Sequence, residues 1–281
     1  VVDGKIRVGS LKAANVSIQE FKAHVRGKNG VFNLDPLAFD LYQGSVAAKA
    51  GLDVRKNTPR TDFNLDAKGI QAAPLIKDEA GMEVIEGTLA AAMGLAMTGD
   101  AADTIKQTLT GKGDLSFTDG AVVGVDLANM VRNVGAKVGL SQTPDKKPRT
   151  DFSELKIPFS AGGGVANVNN ASLTSPLLRV GVTGNAHLIK ETLDFRVDPK
   201  FVATLKGQGD TKERSGLMVP VLITGPFDAP KIRPDLKGML GGSVSDPNSL
   251  KQLIKGKDDS GQDTGSVKDQ AKGLLKGLLG N

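Results

Sequence analysis

The sequence holds two histidines, His24 and His187, each inside a run of alternating apolar and polar residues. A metal site or a nucleophile–base pair needs several such groups brought together, and two separate strand histidines do not supply them. Adjacent carboxylates occur at Asp78-Glu79 and Asp258-Asp259. General acid–base work needs a positioned pair with a tuned pKa, and both pairs lie in polar, surface-like sequence. Cysteine is absent, which removes disulfides, thiolate ligands and a thiol nucleophile. There is no Gly-x-Ser-x-Gly elbow and no Gly-Lys-Ser/Thr phosphate loop. Gly111-Lys112-Gly113 and Gly162-Gly163-Gly164 lack a helix opening behind them and read as turns. The expectation is a protein that is not an enzyme, with no metal and no cofactor.

The chemistry that remains is the sheltering of hydrocarbon. Leu89, Met93, Leu95 and Met97 alternate on one side of a run, as do Leu115 and Phe117. Leu178, Val180 and Val182 form another such side, Leu193, Phe195 and Val197 a third, and Val221 and Ile223 a fourth. Apolar surface taken out of water is worth about 25 cal/mol per Å², so an acyl chain is held by area with no specific hydrogen bond. Methionine, flexible and unbranched, suits a ligand that slides. The same pattern also describes a closed sandwich core. Spacing alone leaves core and open groove both standing.

The dominant period is two. Val46, Ala48, Ala50, Leu52 and Val54 alternate with Ala47, Lys49, Gly51 and Asp53, and Phe63, Leu65 and Ala67 with Asp62, Asn64 and Asp66. One wet side and one dry side per strand is the antiparallel habit. Asn29-Gly30 and Asp119-Gly120 read as two-residue hairpin turns. The apolar phase slips at Asp35-Pro36, which predicts a bulge or an edge there. The 35 glycines read as the turns of a many-stranded protein. Short helices are expected at Pro74–Asp78, at Asp100–Leu109 (burying Ile105 and Leu109), at Asp126–Val138 and at Ser266–Leu279. In the third, Leu127, Met130, Val131 and Val134 share a face that would cap a groove. In the fourth, Lys268, Lys272 and Lys276 oppose Leu274, Leu275 and Leu278, as in a helix lying on a membrane surface or packing on the sheet.

The expected fold is mainly β: a long antiparallel, curved, groove-like sheet with a few short amphipathic helices. Residues 1–140 form a first β-rich part, 141–149 a Pro- and Lys-rich linker, and 150–242 a second part of the same sheet. Residues 243–265 read as a flexible polar linker and 266–281 as the last helix. Arg60-Thr61-Asp62-Phe63 recurs as Arg149-Thr150-Asp151-Phe152, in keeping with a modular sheet. Net charge is a modest +5, and basic residues are not interleaved with aromatics, so no nucleic acid is expected. No apolar stretch reaches the length of a membrane span. The sequence opens on Val1 rather than Met and reads as a fragment, with any anchor or signal outside it.

Several collinear pieces resemble the C-terminal region of the AsmA family. They include Leu34-Asp35-Pro36-Leu37, Leu41-Tyr42-Gln43-Gly44, Ala73-Pro74-Leu75-Ile76-Lys77-Asp78 and Phe117-Thr118-Asp119-Gly120-Ala121. Thr150-Asp151-Phe152-Ser153-Glu154-Leu155, Leu173-Thr174-Ser175-Pro176 and Glu191-Thr192-Leu193-Asp194-Phe195 continue the series. The resemblance implies a periplasmic protein anchored in the inner membrane by an N-terminal segment absent from this chain. It implies a role in outer-membrane biogenesis and lipid homeostasis, with phospholipid bound or guided along an apolar β-groove. The implied partners are phospholipid, the inner or outer membrane and envelope assembly proteins. The alternative is a scaffold for outer-membrane protein assembly that binds by strand addition at sheet edges near Pro36 and Pro176.

Overall fold

The computed structural model describes residues 1–127, 147–176, 178–202 and 220–235. All of them belong to the first of two compact units, Val1–Met239, the second being Leu240–Asn281. Thirteen strands lie among the described residues: β1 (Val2–Ala13), β2 (Val16–Lys28), β3 (Val31–Leu41), β4 (Gly44–Asp53), β5 (Arg60–Gln71), β6 (Ile85–Thr98), β7 (Thr110–Val123), β8 (Arg149–Gly162), β9 (Val165–Thr174), β10 (Leu178–His187), β11 (Thr192–Phe201), β12 (Val221–Pro226) and β13 (Lys231–Pro234). They form one antiparallel sheet in strict chain order, not closed into a barrel. Among the described residues two helices, α1 (Ala72–Ala80) and α2 (Ala102–Thr108), interrupt the meander at opposite ends of the strands.

The period-two pattern fixes the register. Where apolar residues alternate with charged ones, a slip of one residue would put every side chain on the wrong face. In β5 the odd positions Phe63, Leu65 and Ala67 turn inward, and Asp62, Asn64 and Asp66 are exposed. Leu41-Tyr42-Gln43-Gly44 makes the β3–β4 turn, with Tyr42 and Gln43 at φ 42° and 69°. Asn29 and Gly30 make the β2–β3 turn at φ 51° and 77°, both in the left-handed region. Asp35-Pro36 is a bulge inside β3, with a cis peptide bond, and the β3–β4 register shifts between Leu34 and Leu37. It is not an edge, because β2 and β4 flank it. Pro176 lies in the β9–β10 turn, and among the described residues the edge strands of the sheet are β1 and β13.

The Asp119-Gly120 hairpin turn does not form. β7 runs unbroken from Thr110 to Val123, and β8 pairs along both halves of it. Asp119 takes φ 50° as a single left-handed residue, and the β6–β7 register shifts between Glu86 and Thr88. One left-handed residue inserts a bulge, whereas the hairpin turn needs two in succession. Of the expected helices, Pro74–Asp78 falls within α1. The second is shorter than expected, and α2 buries no residue, so Ile105 and Leu109 are not core. Its Thr108 hydroxyl instead ties it to β6, accepting from Thr98 N at 3.0 Å and donating to Thr98 O at 2.6 Å.

The core gathers at the α1 end of the strands. Phe117, Leu155, Leu173 and Val180 form one buried cross-strand row. With Phe152, Leu178, Val197, Val221, Leu127 and Ala72 they make the larger cluster. Val46, Ala67, Ile70 and Ala91 make a smaller one beside it. Helix α1 spans both, Ile76 packing on the first and Leu75 on the second. The Tyr42 hydroxyl donates to Asp78 in α1, and Gly81 closes the helix in the left-handed conformation at φ 68°.

Candidate functional site

Because cross-strand partners share a face, the strand register determines what each face presents. One row crosses twelve strands: Gly4, Val25, Leu34, Ala50, Phe63, Leu95, Gly111, Ala161, Ala166, Ala186, Leu193 and Gly225. No member is polar or charged. At about 4.8 Å per strand the row measures about 50 Å along the sheet. A second row, nearer α1, runs Ile6, Ala23, Leu37, Ala48, Leu65, Met93, Gly113 and Phe159. Between β2 and β6, the residues of the first row are half-buried, none reaching full burial. Leu95 and Phe63 belong to neither core cluster. The α2 half of the apolar face is therefore left partly open, while α1 and Leu127 cover the other half.

The fourteen groove candidates divide along this boundary. All share the apolar face, as the pairings of Leu89 with Phe117, Val182 with Val197 and Phe195 with Ile223 require. Phe117, Leu178, Val180, Val197 and Val221 are buried, Leu178 and Val221 to 1% exposure. Leu89, Leu115, Val182 and Ile223 are half-buried and pack against that core. Met93 packs on the smaller cluster. Leu95, Met97, Leu193 and Phe195 are half-buried and join neither cluster. Leu127 is buried, with its N–H donating to Thr150 Oγ1 at 3.0 Å. Met130, Val131 and Val134 lie outside the described residues, as do Lys268, Lys272, Leu274, Leu275, Lys276 and Leu278.

Sequence reasoning missed how the face is surfaced. Four phenylalanines stand directly opposite glycines on neighbouring strands: Phe32 opposite Gly27, Phe159 opposite Gly113, Phe152 opposite Gly120 and Phe195 opposite Gly184. A Cβ added to any of these glycines would come within 2.6–2.8 Å of a ring carbon. The rings lie over the glycine backbone, covering a strand segment that has no side chain of its own. Many of the glycines thus serve the face rather than turns. The signal was present only as Gly and Phe counts, because pairing across strands is invisible before the register is known.

The opposite face is polar, and part of its charge is paired on the face itself. Ion pairs form along single strands between residues two apart: Glu20–Lys22 at 3.2 Å, Asp66–Lys68 at 3.2 Å and Glu154–Lys156 at 2.8 Å. Residues two apart point the same way from a strand, and such exposed pairs add little stability. His24 sits here too, bonded to Asp3 Oδ1 at 2.7 Å, eight strands from His187 in β10. A cleft of about 600 Å³ opens on this side, lined by Ser17, Gln19, Asp40 and Lys68 among others. Hydroxyls, amides and charges make it the wrong surface for hydrocarbon. Among the described residues, no three His, Cys, Asp or Glu side chains are grouped to hold a metal ion.

The AsmA family model matches residues 2–171. The chain belongs to the AsmA family. Among curated proteins it is similar to AsmA family protein YhjG of Escherichia coli (strain K12), 24% identical over 210 residues. That match covers 71% of this chain and 29% of the relative. It is also similar to Protein AsmA of the same organism, 21% identical over 207 residues, covering 70% of this chain and 33% of the relative. The chain thus spans about a third of the length of these relatives. No solved structure matches. Membership in the AsmA family points to a role in the cell envelope. Among the described residues no helix is long and apolar enough to cross a membrane.

Proposed function

We propose that the α2 half of the apolar face shelters the acyl chains of phospholipid, and that the protein binds or guides lipid without catalysing a reaction. On this proposal it works in the periplasm, held at the inner membrane by a segment outside this chain, in outer-membrane biogenesis and lipid homeostasis. The observation that carries it is the twelve-strand row with no polar member, left half-buried over β2–β6. Each methylene laid on such a surface gains up to about 0.8 kcal/mol when fully withdrawn from water. No hydrogen bond fixes a position along the row, so the chain is free to move from strand to strand.

The test is lipid occupancy. The purified protein is incubated with phospholipid vesicles, separated from them and extracted for mass spectrometry. Wild type is expected to retain phospholipid, and Leu95→Glu, which puts a carboxylate into the row, to lose most of it while staying folded. Lipid absent from wild type, or equal in both proteins, ends the proposal. One observation supports the scaffold reading. β1 is a free edge of twelve residues with Val2 and Ile6 exposed, able to accept a strand from another polypeptide. Pairing there would protect β1 amides from hydrogen exchange when an outer-membrane protein substrate is added.

A further inference from the structure

The open half of the apolar face ends at a rim of positive charge. Lys28 closes β2, Arg60 opens β5, and Arg55 and Lys56 lie in the loop between β4 and β5. The register places Lys28, Val31, Asp53 and Arg60 in one terminal row, one residue beyond the row of Phe32, Leu52 and Thr61. Four cations therefore meet one carboxylate. That carboxylate is already engaged: Arg55 Nε and an Nη bond Asp53 at 2.9 and 2.6 Å, and this contact holds the Asp53 pKa down to about 2. Lys28, Lys56 and Arg60 have no ion-pair partner among the described residues.

The neighbouring lip is different. The lip over β6 and β7 carries Asp100 and Asp103, and Lys106 of α2 is committed to Glu191 at 2.5 Å. Elsewhere some cations are matched within their own strands, as in Asp66–Lys68 and Glu154–Lys156, while others, such as Lys5 and Lys200, stand singly without an ion pair among the described residues. At the β2–β5 lip three unpaired cations stand together where the open apolar rows run out. Val54, 44% exposed, follows Leu52 at the same lip. Lysine and arginine stems are long enough to reach round a strand end while their heads stay in water. Hydrocarbon on one side of a lip and cations on the other is the complement of an anionic amphiphile.

We propose that Lys28, Lys56 and Arg60 form a headgroup site for anionic phospholipid, whose acyl chains lie on the β2–β6 part of the apolar face. This rests on the acyl-chain reading above and adds a headgroup charge class and an orientation: phosphate at the α2 end, chain tails toward α1. The attraction is electrostatic and solvent-exposed, so added salt weakens it.

Phosphatidylglycerol and phosphatidylcholine with identical acyl chains, one carrying a fluorophore on the chain, are titrated into the full chain. Wild type is expected to prefer phosphatidylglycerol by roughly tenfold at low salt, and the preference to shrink toward parity at 0.5 M salt. A Lys28→Gln, Lys56→Gln, Arg60→Gln variant with unchanged circular dichroism is expected to bind phosphatidylcholine like wild type and to lose the preference. Equal affinity of wild type for the two lipids, or a preference that survives the triple substitution, overturns the headgroup site and leaves the acyl face standing. Binding of neither lipid overturns both. Displacement of phosphatidylglycerol by millimolar inorganic phosphate would assign the rim to a free anion and overturn the lipid assignment.

Discussion

The two ends of the apolar face are built from the same residue classes and end in different states. At the α1 end Phe117, Leu155, Leu173 and Val180 are closed under Leu127, Ala72 and Ile76. At the α2 end Phe63, Leu95 and Met97 stay half-buried on β5 and β6, strands whose α1 halves carry the buried Ala67 and Ala91 of the smaller cluster. Helix α1 has two apolar side chains, Leu75 and Ile76, that key into the two clusters. Helix α2 has none buried and is held by Thr108 and the Lys106–Glu191 pair. An alternating strand makes a face, and a separate element decides whether that face becomes a core or a surface.

The sharpest test compares one ring at each end. Phe152 is 4% exposed in the larger cluster, and Phe152→Ala should cost about 3–5 kcal/mol, the range for a buried phenylalanine. Phe63, on the open half, should cost roughly half as much or less when replaced by alanine, because less of its area is withdrawn from water. Urea melts of the two variants measure the difference. Equal losses would mean that the α2 half is as closed as the α1 half, and the acyl-chain proposal would lose its surface.

This division was only partly legible in the sequence. Strand identity was, because polar or charged residues at every second position of β5 (Asp62, Asn64, Asp66, Lys68) and β11 (Asp194, Arg196, Asp198, Lys200) leave one register possible. The two-residue turn at Asn29-Gly30 was also legible, since both conformations are local. Asp119-Gly120 misled for the same reason: the pair permits a turn, but pairing with β8 on one side and β6 on the other keeps β7 straight. The fourteen groove candidates were named from alternation and share one face, but Val25, Leu34 and Phe159 of that face were not among them. Which candidates are covered was not legible, because cover comes from α1 and Leu127, remote in sequence from Val180 and Val221. The basic rim was invisible for a like reason: Lys28 and Arg60 become neighbours only through the β2–β5 register.

A smaller effect separates glycines that serve the face from glycines that do not. Gly184 sits at a β-bulge with φ 145°, where a Cβ would stand 2.2 Å from Asp194 O and 2.8 Å from a Phe195 ring carbon. Gly184→Ala should destabilise by about 1–3 kcal/mol through backbone strain and overpacking. Gly181, three residues earlier in β10, has open space where a Cβ would go. Gly181→Ala should be neutral or stabilise by about 0.4–1 kcal/mol, since alanine narrows the unfolded ensemble. Thermal melts of the pair separate the two roles. Equal destabilisation would mean that strand position, rather than the ring opposite, sets the cost.

The smallest expected effect lies at the lock on the covered end. Burial, together with the hydrogen bond to Asp78, pushes the Tyr42 pKa up to about 12. The unfolded chain would lose this proton near pH 10. The folded state holds it longer, so the stability it contributes is fully present below about pH 10 and is lost as pH rises from there through 12. Tyr42→Phe removes the titrating proton while keeping the ring against the smaller cluster. Wild-type stability should therefore fall more steeply than that of Tyr42→Phe between pH 10 and 12, with the two curves parallel at pH 7–9. Parallel curves up to pH 12 would mean that the Asp78 bond does not hold α1 down, and that apolar packing of Leu75 and Ile76 alone keeps the α1 end closed.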